Sequence, residues 1–191
     1  MDTVSGSRVH DRLAHAVSRL DPKIMRAEAI AELDELFRNG AAPEPPPDGM
    51  HPGRLVTMSV TRPTDAAVRS MASLYMPWLG KSFDAAAQTG INVLATSARA
   101  PMKVLWPRYT PVHEFTDRIE CFPFRTRIDR GAVDPDLQVL KIDYDYEANP
   151  DFIIRRILDE LVQIDDGLYL GKILFRTKHA WKPIGFFSLE K

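Results

Sequence analysis

Apolar residues recur at three- and four-residue steps at Val9, Leu13, Ala16, Val17 and Leu20, the spacing of one helical face. Asp21-Pro22 follows, a cap residue before a proline that suits the first position of a new helix. KIMRAEAIAELDELFRNG then places Ile24, Ala27, Ile30, Leu33, Leu36 and Phe37 on one face and stops at Asn39-Gly40. This pattern predicts helices over 7–20 and 22–39, with residues 1–6 disordered. AAPEPPPDGMHPG (41–53) holds five prolines and two glycines, too many for a helix or an inner strand. It reads as an extended linker.

The period changes after the linker. LVTMSVT (55–61) is rich in β-branched residues, and TDAAVRSMASLYM (64–76) reads as a short helix capped by Thr64. Gly80 and Gly90 punctuate a loop-rich stretch, and Pro101, Pro107 and Pro111 break the region after INVLATSA. IECFPFRTRI alternates around Pro123, which suits an edge strand or a bulge. DLQVLKIDYDY puts Leu140, Ile142, Tyr144 and Tyr146 on one face and Lys141, Asp143 and Asp145 on the other, a half-buried antiparallel strand. Asn149-Pro150 opens DFIIRRILDEL, whose spacing predicts a helix. Asp166-Gly167 predicts a hairpin turn into LYLGKILFR, and WKPIGFFSLE closes the chain as a strand. Short antiparallel strands after helices, without βαβ alternation, predict an α+β fold: a small antiparallel β-barrel preceded by two N-terminal helices. The expected parts are a helical segment over 1–40, a linker over 41–53 and a barrel domain over 54–191.

Composition narrows the function. With 191 residues the chain buries enough surface to fold without metal or disulfide. Its 25 Lys+Arg against 26 Asp+Glu leave a net charge of −1, so a nucleic-acid partner is not expected. No stretch has the length and apolarity of a membrane helix, and the polar start MDTVSGSRVHDR lacks a signal-peptide core. Cys121 has no second cysteine to pair with. A cytoplasmic protein is the expectation.

Three segments carry a resemblance. GMHPG (49–53), WLGKSFD (78–84) and VQIDDGLYLGKILF with WKPIGFFSLE resemble the proteins named for a Gly-x-Trp-x-Gly motif, which carry a C-terminal domain of unknown function. The run matched by Trp78, Gly80, Lys81 and Phe83 is the most specific, and the similarity spans roughly residues 32–191. The resemblance implies a lipocalin- or fatty-acid-binding-protein-like barrel with an internal apolar cavity. It implies no reaction. This chain has His51 where the family has its tryptophan, a residue that plugs the closed end of lipocalin-like barrels. Trp78, Trp106 or Trp181 could take that place.

Cofactor signatures are missing: there is no G-x-G-x-x-G, G-x-S-x-G or H-E-x-x-H. Gly80-Lys81-Ser82 ends like a phosphate loop, but Tyr75 stands where the first glycine must be. The histidines His10, His15, His51, His113 and His179 lack metal-ligand spacing, so neither a metal nor a cofactor is expected. The candidate acid–base groups are His51, Tyr109, His113 and Glu120, with Tyr144 as a further proton donor. His113 would sit with Tyr109 and Glu120 at a barrel mouth, or else decorate an exposed loop. Glu120 shares a face with Phe122 and Phe124 if alternation runs straight through Pro123; otherwise Arg118, on the same face, pairs with it, or that face is the outer one. His51 is either a satisfied core histidine or a reactive one. Candidate ligand-lining residues are Trp78, Trp106, Phe122, Phe124, Tyr144, Tyr146, Tyr169 and Phe175, each with a core-packing alternative.

Two functions compete. One is a barrel that binds an apolar small molecule in its interior. The other is a cofactor-free cyclase or isomerase acting on a polyketide-, terpenoid- or steroid-like substrate. A docking role or homodimer through the two N-terminal helices is a third reading.

Overall fold

In the computed structural model, which describes residues 3–18, 25–58 and 77–191, the β-branched and alternating segments become a closed barrel. Its strands are β1 (Gly49–Met58), β2 (Trp78–Asp84), β3 (Thr89–Ala95), β5 (Arg118–Arg130), β6 (Gln138–Asp143), β7 (Ile157–Asp165), β8 (Leu168–Arg176) and β9 (Trp181–Glu190). All neighbours are antiparallel, β9 returns to β1, and β3 pairs with β5 to complete the ring. Apart from that closure each strand lies beside the one before it, so the barrel is up-and-down. A two-residue strand, β4 (His113–Glu114), hooks onto the edge of β5 through Glu120 and Ile119.

Two helices cover the outside. α1 (Thr3–Ser18) and α2 (Met25–Arg38) run antiparallel, with Arg12 3.3 Å from Glu35 and His15 3.5 Å from Glu32. Their shared stripe of Leu13, Ala16, Leu33, Leu36 and Phe37 lies on Val139, Val162, Leu168, Leu170 and Phe186 of the barrel's outer face. Lys172 anchors the contact: its Nζ is 2.7 Å from Asp34 and 2.6 Å from Asp134, and Arg38 Nε reaches Asp134 at 2.9 Å. Burial pushes the Asp134 carboxyl upward, but Lys172 and Arg38 outweigh it and hold the group below its ordinary range. After α2, Ala41 and Gln163 exchange backbone hydrogen bonds at 3.1 and 2.7 Å.

The structure corrects several boundaries. α1 begins at Thr3, earlier than its apolar periodicity indicated. β1 begins at Gly49, so 49–53 are barrel and not linker. Pro52 is tolerated because β1 switches partner there, from β2 up to Pro52 to β9 from Gly53, and proline needs no ladder donor at such a point. DFIIRRILDEL is not helical. After a 3₁₀ turn over Ile154–Arg156 it enters β7, with Ile157 and Leu161 in the barrel core and Val162 in the outer cluster under the helices. Pairing on both sides, with β6 and β8, overrides the helical spacing. The expected restart at Asp21-Pro22 and the expected helix over 64–76 lie outside the described residues.

Candidate functional site

Bulges in β2 and β5 decide which way Lys81 and Glu120 face. Register shifts between Trp78 and Gly80, so Trp78 and Lys81 both join the inward face although straight alternation would separate them. Only glycine fits at 80: its φ is +143°, and a Cβ there would stand 2.1 Å from the backbone oxygen of His51. The second bulge is in β5, where Phe122 has φ 54° and the pairing slips between Gly90 and Asn92 of β3. Ile119, Cys121, Phe122 and Phe124 therefore all belong to the core, and Glu120 does not.

At mid-barrel these strands assemble a polar cluster inside an apolar shell. Lys81 and Asp159 are both completely buried, with Nζ 3.0 Å from Oδ2. Nζ also donates to Asn92 Oδ1 at 3.0 Å and lies within hydrogen-bond reach of Tyr144 Oη. Tyr144 Oη donates to Asp159 Oδ2 at 3.1 Å and accepts from Asn92 Nδ2 at 3.1 Å. Trp78 Nε1 donates to Asn92 Oδ1 at 3.1 Å, and Asn92 Nδ2 reaches the Phe122 carbonyl at 3.2 Å. Four ring centroids surround the lysine nitrogen: Phe187 at 5.0 Å, Tyr144 at 5.1 Å, Trp78 at 5.3 Å and Phe124 at 5.4 Å. Gly171 makes room for this shell, since a Cβ on it would meet the Phe187 ring at 2.1 Å. Asp159 Oδ1 is buried without a hydrogen-bond partner.

Burial moves both charges toward neutrality. It pulls the Lys81 amine below its ordinary pKa, with Asp159 opposing, and pushes the Asp159 carboxyl up, with Lys81 and Tyr144 opposing. The site is thus an amine, a phenol and a carboxylic group in mutual hydrogen-bond contact, able to exchange protons without water.

The two ends of the barrel differ. At one end His51 is buried edge-on against Phe83 and Tyr169, with ring centroids at 5.5 and 5.6 Å. None of the tryptophans substitutes for it there: Trp78 packs on Phe187, Trp106 donates to the Phe152 carbonyl, and Trp181 pairs with Arg176, at the end of β8 away from Tyr169. Its Nδ1 faces the Gly49 carbonyl at 3.2 Å, while Nε2 is buried and unpartnered. At the opposite end Met58, Leu105, Tyr109 and Phe175 remain only partly buried against the core. α3 (Arg99–Leu105) contributes Met102 there.

Burial, more than any other influence, lowers the pKa of His51 below 6.5. The folded state keeps the ring neutral while the unfolded chain takes up a proton, so stability is lost as pH falls below about 6.5. Urea titrations are expected to show a falling midpoint from pH 7.5 to 5.5, and a smaller fall in His51→Phe. An equal fall in both proteins would exclude His51 as its source.

The remaining sequence candidates separate. Phe124, Tyr144 and Trp78 meet at the polar cluster, and Tyr169 lies with His51. Trp106 and Phe122 pack edge-on at the partly open end, where Tyr109 stacks on Phe122 at 5.0 Å. Phe175 lies under Arg156 at 4.4 Å. Tyr146 leaves the inward face, because β6 ends at Asp143 and the chain turns; Arg125 covers its ring at 4.8 Å. His113 and Glu120 do not join Tyr109 at a mouth. They pair on the outer surface at 3.1 Å, with Arg118 Nε 3.4 Å from Glu120, because the β5 bulge lies beyond Glu120 and leaves it facing out. Tyr109 holds the β5 bulge: its hydroxyl accepts from the Phe122 N–H at 2.7 Å. Tyr109→Phe is expected to cost about 1–3 kcal/mol by stranding that donor, measurable by urea denaturation. A change below about 0.5 kcal/mol would contradict the assignment.

Lys81, Asn92 and Asp159 are not among the residues that the sequence pattern singles out as site candidates. Lys81 stood inside the best-matched run, and Asp159 inside the segment read as helix. The signal was a lone charge of each sign on strands otherwise apolar inward, visible only once the bulge and β7 are known.

Among the described residues no group of three His, Cys, Asp or Glu side chains is placed to hold a metal, and no helix is long and apolar enough to cross a membrane. No family model matches the chain, and no curated protein matches it. A protein from Thermomonospora curvata of known crystal structure is 17% identical, with 93% of this chain and 98% of that chain covered and a TM-score of 0.45.

Proposed function

We propose that the barrel binds a small, mainly apolar organic molecule carrying an oxygenated group, which meets the Lys81–Asp159–Tyr144–Asn92 cluster. The observation that carries this reading is a hydrogen-bonding cluster enclosed by aromatic rings at mid-barrel, with the buried Asp159 Oδ1 still unpartnered. A few convergent polar groups in an apolar enclosure are the general form of a small-molecule site. Approach from the end of Met58, Leu105 and Phe175 is favoured, since the His51 end is sealed. The resemblance to the Gly-x-Trp-x-Gly proteins agrees with this reading through Trp78, Gly80, Lys81 and Phe83, two of which belong to the cluster and its ring shell.

A cofactor-free cyclase or isomerase is the second reading. It is favoured by the Tyr144 hydroxyl, which sits between an amine and a carboxylic group as a proton donor must. The two readings part on Tyr144→Phe: loss of turnover with binding retained supports the enzyme, and graded loss of binding supports the carrier.

Native mass spectrometry of the full chain, followed by titration with the ketone-bearing fluorophore prodan, tests the binding reading. A co-purified small molecule, or saturable one-to-one prodan binding, is expected. A protein that carries nothing and shows no saturable prodan binding would overturn it.

A further inference from the structure

We propose that Lys81 is a carbonyl-capturing amine, whose Nζ forms a reversible imine with an aldehyde or ketone held in the barrel. The inference rests on the binding reading above and supplies its ligand class.

The position of the amine is the first ground. Nζ is fully enclosed and ringed by Phe187, Tyr144, Trp78 and Phe124, so it has exchanged its hydration shell for aromatic faces. A lysine so placed gives up its proton more readily, and the neutral amine is the nucleophile. Its neighbours are the second ground. Imine formation needs one group to accept a proton from nitrogen and one to give a proton to oxygen. Asp159 and Tyr144 both contact Nζ and hydrogen-bond to each other at 3.1 Å. The third ground is Asp159 Oδ1, a buried acceptor with no partner and thus available to the hydroxyl of the addition intermediate.

A filler role explains the cluster less well. An ion pair in a core is commonly matched or bettered in stability by apolar residues of similar volume. Lys172 marks the contrast within the same molecule. It is almost as buried, but it lies on the outer face between the carboxylates of Asp34 and Asp134 and anchors a helix.

The step balances without an external reagent. The lone pair on neutral Nζ attacks the carbonyl carbon, and the oxygen takes the proton held by Asp159, relayed through Tyr144. Nitrogen returns one proton to Asp159, which leaves a neutral carbinolamine. The hydroxyl then takes that proton and departs as water, the nitrogen lone pair forms the C=N bond, and the last N–H proton goes back to Asp159. The carbonyl oxygen leaves as water, the amine loses two hydrogens in all, Asp159 ends with as many protons as it began with, and nothing is oxidised or reduced.

Benzoylacetone, an apolar β-diketone, tests the step on the full chain, because its imine settles as a conjugated, near-ultraviolet-absorbing enaminone that survives mass analysis. The expected result is one adduct, of the diketone's mass less one water, mapped to Lys81 and formed at least about tenfold faster than at any other lysine. Tyr144→Phe is expected to slow it by about tenfold or more. Lys81→Met is expected to lose it. An unmodified Lys81 in protein that binds prodan saturably would overturn the imine and leave the binding reading standing. Neither labelling nor saturable prodan binding would overturn both. Mapping on the unsubstituted chain decides the matter even if a variant fails to fold.

Discussion

Asp159→Leu is expected to destabilise the protein by about 3–5 kcal/mol at neutral pH, the range for breaking one side of a buried ion pair. The substitution leaves Lys81 in an enclosure from which water is excluded, with Asn92 and Tyr144 as its remaining partners. The lysine then folds only by shedding its proton or by burying an unpaired charge. Burial, with Asp159 no longer opposing it, holds the amine's pKa in the folded variant below the 10.5 of an unburied lysine, so between those two values the unfolded chain holds more protons. The deficit must therefore shrink as pH rises toward 10.5. The double variant Lys81→Met/Asp159→Leu is expected to recover most of the loss. Tyr144 keeps Asn92 Nδ2 as a partner, and Asn92 Oδ1 keeps Trp78 Nε1, so no new polar atom is stranded by the double change. Denaturant unfolding at pH 7 and pH 9.5 measures all three proteins. A single variant within about 1 kcal/mol of the parent at pH 7 would contradict the buried pair.

Phe37→Ala carries the second large effect, about 3–5 kcal/mol, the usual loss for a fully buried phenylalanine. The ring is wholly enclosed between the helical pair and the barrel, edge-on to Phe186 at 6.4 Å and beneath Lys172 Nζ at 4.3 Å. Its removal opens a cavity at the centre of the contact and leaves the Lys172–Asp34–Asp134 anchor beside it. For a chain of this length the shift in Tm is about 6–20 °C, with one cooperative transition. A fall in helical signal at low temperature, with the barrel's transition unmoved, would instead mean that α1 and α2 dock as a separate unit. That result would revive a docking role for the helical stripe, which in this structure is spent on Val139, Val162, Leu170 and Phe186.

Much of the fold was legible because it follows from local rules. The stripe from Leu33 to Phe37, the alternation through Leu140 and Ile142, and the Asp166-Gly167 turn each state their structure within a few residues. The closing strand from Trp181 does the same. What could not be read depends on pairing between distant segments. The ILDEL spacing suits a helix until β6 and β8 bracket it. The bulges at Gly80 and Phe122 exchange faces partway along their strands, which brought Lys81 inward and turned Glu120 outward. The candidate site was therefore half visible. Tyr144, Phe124 and Trp78 were found as apolar lining, whereas the charged pair they enclose was hidden by those register changes.

The central claim is that the Lys81–Asp159 cluster anchors an oxygenated small molecule inside the barrel. Prodan titration of the parent and of the refolded Lys81→Met/Asp159→Leu variant tests it most directly, because the variant keeps the apolar shell and loses the anchor. The account predicts saturable one-to-one binding by the parent and affinity weaker by about tenfold or more in the folded variant, the worth of one good polar contact. Equal affinity in the two proteins, or no saturable binding by the parent, would contradict it.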